Sequence, residues 1–363
     1  MDEVALHDLL SGRQRGLRAG LIRGCLHLPA WLYSAAIRTR NLAYDYRIRP
    51  VHRVGAPVIS LGNITTGGTG KTPLAAWLAN WLTKAGCKPA LISRGYRSLK
   101  SKSVKAGQPM TEPHESNDEK LVLDRLCPGI PHLQQQDRVE SANRAISEFG
   151  CDTLILDDGF QHRRLHRDLD LVLIDAMQPW GYGYVLPRGL LRENLVGLKR
   201  ADLILITRAD QLTESQRLIM RAMLIEIRGT DESVEVAFRP SRLLDPQWQS
   251  RPLADAEGRK AFAFCGIGNP DAFRRTVESI GASCLELEPF PDHHHYNQAE
   301  LTKLAKRARE LSVDVVFTTM KDLVKIPAAA WTGPPLFAVE IDVQFLKGGD
   351  LLESRLRRLI ETP

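Results

Sequence analysis

The amino-acid sequence predicts an α/β protein: a mostly parallel sheet flanked by helices, with a smaller C-terminal α/β domain after it. Two observations carry this expectation. Short apolar runs alternate with amphipathic stretches from residue 57 onward, and the alternation breaks near 240–258 before starting again. A third lies in "SLGNITTGGTGKTPLAAWLANWL" at 60–82, where a strand, a glycine-rich turn and a helix follow one another directly. The division expected is 1–55, 56–245 and 246–363.

At 363 residues, 43% of them hydrophobic and 25% charged, the chain can form two cores, and its composition argues against extended disorder. Its cysteines include no CxxC pair, which fits neither a zinc knuckle nor a disulfide framework, so they read as reduced cytosolic thiols. The first residues lack a basic stretch followed by an unbroken apolar run and cleavage site, so secretion is not expected.

The first segment is rich in arginine (Arg13, Arg15, Arg18, Arg23, Arg38, Arg40, Arg47, Arg49 and Arg53) around the uncharged run "GCLHLPAWLYSAAI". That run is shorter than the roughly 20 residues that cross a bilayer. A helix from Pro29 would be apolar on nearly every side, with Trp31 and Tyr33 suited to the headgroup boundary and arginines to lipid phosphates. The other reading is a helix that packs on the next domain. The net charge of +6 comes with no helix-turn-helix, zinc finger or RNA-recognition motif, so no nucleic-acid partner is expected.

Strands follow at "PVISLGN", "KPALISRGY", "CDTLILDDG", "DLDLVLIDA" and "ADLILITRAD". Helices are expected over "KTPLAAWLANWLTKAG", ending at Gly86, and over 138–148, and residues 98–120 read as a polar loop. The second unit repeats the pattern with "KAFAFCGIG", a helix over 271–281, "SCLELEPF", a helix over 298–311 and "DVVFTTMKD".

The turn at 65–72 comes close to the phosphate-loop pattern G-x-x-x-x-G-K-[ST], which makes the first domain P-loop NTPase-type. Its residues are Thr65, Thr66, Gly67, Gly68, Thr69, Gly70, Lys71 and Thr72, with Thr65 where the first glycine is usual. The glycines let backbone N–H groups turn toward an anion, and the helix that follows aims its positive end at it. Lys71 would span the β- and γ-phosphates of ATP, and the Thr72 hydroxyl would ligate Mg²⁺. The acidic pair Asp157 and Asp158 closes a buried strand, where a second metal anchor belongs; two adjacent carboxylates repel each other unless a cation lies near them.

"GNITTGGTGKTP", "SRGY", "NDEKLVL", "QDR", "LDDGFQHRRLHRDLDLVLIDA", "LPRGLLRE", "FPDHHHY" and "TTMKD" occur in the order seen in the tetraacyldisaccharide 4'-kinase family of Gram-negative bacteria, which the chain resembles from about 20 to 345. The resemblance implies an ATP-dependent lipid kinase acting on an acylated glucosamine disaccharide, placed peripherally at the cytoplasmic face of the inner membrane. It implies that Asp118 is the general base with His293, supported by Lys71 and Asp158, and that closure of the second domain over the first would bring the two together. Glu119, Gln161 and His162 would lie near metal or acceptor, with Glu119 a further metal ligand. Arg94, Arg138 and Arg192 are candidates for binding phosphate groups of substrate. The chain departs from the family pattern at Asn117, Lys120 and Met320. "DHHHY" could suggest a metal cluster, but neighbouring side chains on an extended segment point to alternate sides. A GTPase or metallochaperone-like switch is the rival reading, since Thr207-Arg208-Ala209-Asp210 loosely echoes a guanine-reading [NT]KxD loop. A dimerising ATPase of the K-G-G-x-G-K-[ST] kind would need a lysine where Thr66 stands.

Overall fold

The computed structural model describes residues 3–95 and 118–361. Helices α1 (Glu3–Ser11) and α2 (Leu17–Asp45) precede β1 (Val58–Asn63), α3 (Lys71–Lys84) and β2 (Pro89–Arg94). Next come α4 (Asp118–Leu126), β3 (His132–Gln135), α5 (Arg138–Phe149), β4 (Thr153–Asp157), β5 (Leu169–Asp175), β6 (Leu203–Thr207) and α6 (Glu214–Arg228). The remainder holds β7 (Ser233–Leu244), β8 (Ser250–Arg251), β9 (Lys260–Cys265), α7 (Pro270–Ser279), β10 (Ser283–Pro289), α8 (Gln298–Glu310), β11 (Val315–Thr319), α9 (Met320–Leu323), β12 (Leu336–Lys347) and α10 (Gly349–Glu361).

The chain forms two compact units. One comprises the described residues to 95, Gly129–Ala237 and 344–361; the other comprises 118–128 and Phe238–Val343. Against the contiguous segments expected from sequence, two stretches change sides. Helix α10 belongs to the first unit, where Arg355 pairs with Glu232 at 3.0 Å and Arg357 lies over the Trp81 ring. Helix α4, which carries Asp118, belongs to the second and packs on α9.

In the first unit the strands run parallel in the order β3-β2-β4-β1-β5-β6-β7. Both faces of such a sheet are covered, which is why β1 is buried along its length and why β4 and β6 read as unbroken apolar runs. The chain leaves β1 toward β2 on one side, and leaves β5 toward β6 on the other. Their adjacent carboxyl ends are therefore a topological switch point, where open α/β sheets bind ligands. Helix termini follow sequence signals: Asp137 accepts from the N–H groups of Val139 and Glu140 to start α5, and Thr213 with Gln216 forms a capping box on α6.

Helix α2 starts at Leu17 and not at Pro29, which sits inside it. Proline removes one backbone donor but leaves the turns on either side intact. One side of α2 is held to the first unit: Ala19 and Ala30 are buried, the Tyr33 hydroxyl donates to the Arg192 carbonyl at 2.9 Å, and Asn41 donates to Glu193 at 3.1 Å. Leu17, Leu21, Leu28, Trp31 and Leu32 are exposed, Leu17 by 88%. Among the described residues no helix is long and apolar enough to cross a membrane.

In the second unit the parallel order is β10-β9-β11-β12, with a core that includes Phe262, Phe264 and Phe317. A capping box of Asn297 and Glu300 starts α8.

Gly62 in β1 lies against the turn that follows the acidic pair. A Cβ there would stand 2.6 Å from both the backbone nitrogen and the Cβ of Phe160. Because Phe160 is fully buried, neither side can yield cheaply. Gly62→Ala is expected to cost about 1–3 kcal/mol, read as a lower urea midpoint at unchanged m-value.

Candidate functional site

Strand β1 ends at Asn63, and the loop that follows returns to helical geometry at Lys71. Gly67 and Gly70 have φ of 106° and 82°, which L side chains adopt only with strain. The cap residue of α3, Gly70, offers no side-chain cap, so the first-turn N–H groups remain available to an anion. Positions for a Cβ at Gly67 and Gly68 face open space.

The departure at Thr65 has a structural reason. Thr65 forms an antiparallel bridge with Leu191, the Thr66 N–H donates to the Leu190 carbonyl at 2.8 Å, and the Arg192 N–H donates to the Ile64 carbonyl at 2.7 Å. The segment "GLLRE" thus runs alongside the entry to the loop. Thr65 is 3% exposed and has no left-handed backbone, so no glycine is required there. Thr69 is buried as well and receives the Asn63 amide at 3.2 Å.

Lys71 Nζ lies 3.4 Å from Asn63 Oδ1 and 3.5 Å from Asp158 Oδ1. Arg192 Nη1 reaches both Asp158 oxygens, at 2.7 and 2.8 Å, and the nearly buried Arg138 donates to the Asp158 carbonyl at 3.0 Å. Burial works against ionisation of Asp158, but Lys71, Arg192 and Arg138 together outweigh it and hold the carboxyl below the usual range. The cation expected beside the acidic pair is supplied, for Asp158, by the chain itself. Asp157 ends β4 opposite Leu61 of β1, next to the loop, and Thr72 lies in the first turn of α3. A carboxylate and a hydroxyl are hard oxygen donors, a set that fits Mg²⁺.

Gln161 donates to the Asn63 carbonyl and to Glu193, both at 3.1 Å. Glu193, only 2% exposed, also holds Arg200 through both oxygens. Arg94 ends β2, and its charge bears on Arg138. Asn63, Glu193 and Arg208 of this unit were not assigned roles from sequence; Asn63 and Glu193 lie inside quoted motifs, but only their partners mark them out.

The second unit brings together Asp118 and His293. His293 Nδ1 is 2.9 and 3.0 Å from the two Asp118 oxygens. Asp118 is 4% exposed at the start of α4, whereas the His293 side chain is 55% exposed. Both belong to one compact unit, so their pairing needs no closure of one domain over the other, contrary to the sequence expectation. Lys325 Nζ stands 3.8 Å from Asp118 and 3.1 Å from the fully buried Asp322. Glu119 pairs with Lys321 at 3.3 Å. Burial opposes the Lys321 charge, but Glu119, Asp118 and Asp292 raise its pKa overall. Lys321 and Asp322 therefore have partners without a carboxylate at position 320, where Met320 packs on the apolar core. Lys120 pairs with Asp124. Asn117 and the 98–117 part of the expected loop lie outside the described residues. His293 faces Asp118, while His294 meets Glu300 at 3.2 Å and stacks on Phe290.

His162, beside the acidic turn, is pushed down to about 4 from an ordinary 6.5 by burial and by Arg138, Arg167 and Arg164. Between those values the unfolded chain binds a proton that the fold refuses, so stability falls as pH drops through that window. In urea melts near pH 7 and about pH 4.5, the stability of the parent relative to His162→Gln is expected to decline toward acid. NMR should find the His162 ring neutral to about pH 4.

The family model described as Tetraacyldisaccharide-1-P 4'-kinase matches residues 22–361. A tetraacyldisaccharide 4'-kinase of Anaeromyxobacter dehalogenans is 38% identical over 351 residues, 95% of this chain and 93% of that one. One from Geobacter sulfurreducens is 36% identical over 356 residues, 97% and 98% of the two chains. Among solved structures, "apo" form LpxK from Aquifex aeolicus in complex with ATP has a TM-score of 0.73 at 26% identity, covering 93% of this chain and 99% of that one.

Proposed function

Since the chain belongs to the tetraacyldisaccharide 4'-kinase family, we propose that it transfers the γ-phosphate of ATP to the 4'-hydroxyl of tetraacyldisaccharide 1-phosphate, giving lipid IVA. The observation that carries this reading is the phosphate loop itself: open glycines, an uncapped helix start, and Lys71 held between Asn63 and Asp158. Phosphoryl transfer asks the protein chiefly for position and charge. Lys71 and the loop N–H groups bind the triphosphate, while Arg192 and Arg138 hold Asp158 and add positive charge beside it. Thr72 and Asp157 would hold Mg²⁺, which supplies charge neutralisation on the phosphates when bound. Asp118 takes the proton of the attacking hydroxyl, oriented and charge-stabilised by His293. Arg94 is the candidate for the acceptor's 1-phosphate. The switch-protein alternative is not favoured by the family.

The acceptor carries acyl chains and resides in a bilayer, so the chain must meet a membrane surface. Helix α2 offers the exposed row Leu17, Leu21, Leu28, Trp31 and Leu32, with Arg15, Arg18 and Arg38 also exposed. Such a helix would lie in the interface, its apolar row among acyl chains and its arginines at lipid phosphates, which supports a peripheral position at the cytoplasmic face of the inner membrane.

The test is transfer of radiolabelled γ-phosphate from ATP to tetraacyldisaccharide 1-phosphate in detergent micelles, with GTP run alongside. Labelled lipid from ATP is expected. Lys71→Ala should lower kcat/KM by about 10²–10³-fold, and Asp118→Ala should lower kcat by about 10²-fold or more with little change in KM for ATP. Hydrolysis without labelled lipid, with GTP preferred, would sink the assignment.

Membrane contact has its own measurement. Sedimentation with vesicles should show binding that rises with anionic lipid content and weakens with salt, and Trp31→Glu should reduce it about tenfold. Equal sedimentation of Trp31→Glu and the parent would remove α2 from the contact.

A further inference from the structure

The loop after β6, Thr207-Arg208-Ala209-Asp210, reaches the phosphate loop. Arg208 has left-handed backbone geometry, φ 56° and ψ 31°, between two fully buried neighbours, Thr207 and Ala209. The Thr207 hydroxyl donates to the Ile174 carbonyl at 3.4 Å, and the Ala209 carbonyl accepts from Arg217 at 2.6 Å. Arg217 is in turn held by Glu235 of β7. The base from which the Arg208 side chain extends is therefore fixed on both sides.

From that base the Arg208 Nη2 donates to the carbonyl of Gly68 and lies 3.1 Å from Asp175 Oδ2, at the end of β5. Asp175 is largely buried, and Arg208 offsets part of what burial costs its carboxylate. A peptide unit is planar and trans, so its C=O and N–H point in opposite directions. The carbonyl of Gly68 shares a peptide with the N–H of Thr69. With that carbonyl turned toward Arg208, the Thr69 N–H is turned away from it. The Thr69 side chain is itself held by the Asn63 amide.

We propose that Arg208 is a positioning residue of the phosphate loop: by capturing the Gly68 carbonyl it aims the Thr69 N–H at the triphosphate and keeps a carbonyl oxygen from facing phosphate. The proposal rests on reading residues 65–72 as a triphosphate site, and is independent of the lipid acceptor. A loop with Gly67, Gly68 and Gly70 has unusual backbone freedom. Fixing one of its peptides before the ligand arrives removes ordering cost from binding, which is how preorganisation raises affinity. The cation in the guanine-like echo thus serves the loop and reads no base.

The experiment measures displacement of a fluorescent ATP analogue by Mg²⁺-ATP and by Mg²⁺-tripolyphosphate, which has no base or sugar. For Arg208→Met both affinities should fall by the same factor, on the order of tenfold, as expected for loss of a charge-assisted hydrogen bond. Arg208→Lys should recover much of the loss, and KM for the acceptor should stay unchanged while KM for ATP rises. Circular dichroism without nucleotide should superimpose for parent and variants; if Arg208→Met fails to fold, Arg208→Lys and Arg208→Gln carry the same comparison. Unchanged affinity for both ligands would overturn the proposal. So would a loss confined to ATP, which would place Arg208 against the nucleobase. Failure of lipid labelling with these binding results intact would fault the acceptor assignment alone.

Discussion

The carboxylate of Asp158 is the point on which the charge of the nucleotide site balances. Lys71, Arg138 and Arg192 gather at one end of the sheet, where mutual repulsion and lost hydration would otherwise drive them apart. Asp158 meets two of these side chains with its carboxylate and the third with its backbone carbonyl. The cluster is thereby held together by groups of the chain itself. A triphosphate brings more negative charge than one carboxylate, so it competes for Lys71 on favourable terms, while the contact of Arg192 Nη1 with both carboxylate oxygens keeps Asp158 in place.

That balance depends on how the loop is framed. Gly62 lets the turn carrying Phe160 lie directly on β1, which puts Gln161 within reach of Asn63 at the end of the same strand and Asp158 within reach of Lys71. On the other side, residues 190–192 bond to the loop entry through backbone groups. The same segment receives α2, through Tyr33 on the Arg192 carbonyl and Asn41 on Glu193. A helix with an exposed apolar row is therefore tied to Arg192, which bonds the loop entry, and to its neighbour Glu193. Under the membrane reading, seating of α2 at a lipid surface and the geometry of Arg192 share one set of hydrogen bonds.

What the sequence made legible was local. Residues 65–72 carry the loop because all its requirements fall within eight consecutive positions, and the strand-end aspartates follow from apolar runs that terminate in acid. The start of α2 is not legible at Pro29, because proline suits a first helical turn, whereas the turns before Pro29 already satisfy one another. The partners that complete the site lie far away along the chain: Glu193 with Gln161 and Asn41, and Arg208 with Gly68 and Asp175. Periodicity cannot report such pairings, because each depends on which strand ends the topology makes neighbours. Asp118 and His293 were joined only through family resemblance, and the contiguous domain boundaries then separated two residues that one unit holds together.

The second unit solves a different electrostatic problem. Asp118 and Asp322 are both buried carboxylates, and an unpaired buried charge is costly enough to distort a fold. Lys325, itself 3% exposed, stands between them, and Asp322 is further held by the Gly266 N–H and the Thr319 hydroxyl. Lys321 adds a second positive charge close enough to bear on Asp118. His293, whose side chain is more than half exposed, is a further partner of Asp118. Under the proposed function, this buried carboxylate, held by Lys325 and oriented by His293, is the group that accepts the proton of the substrate hydroxyl. Met320 fits this arrangement because the charges beside it are already matched within the unit: Lys321 to Glu119, and Asp322 to Lys325. A side chain that adds only apolar packing disturbs neither pair.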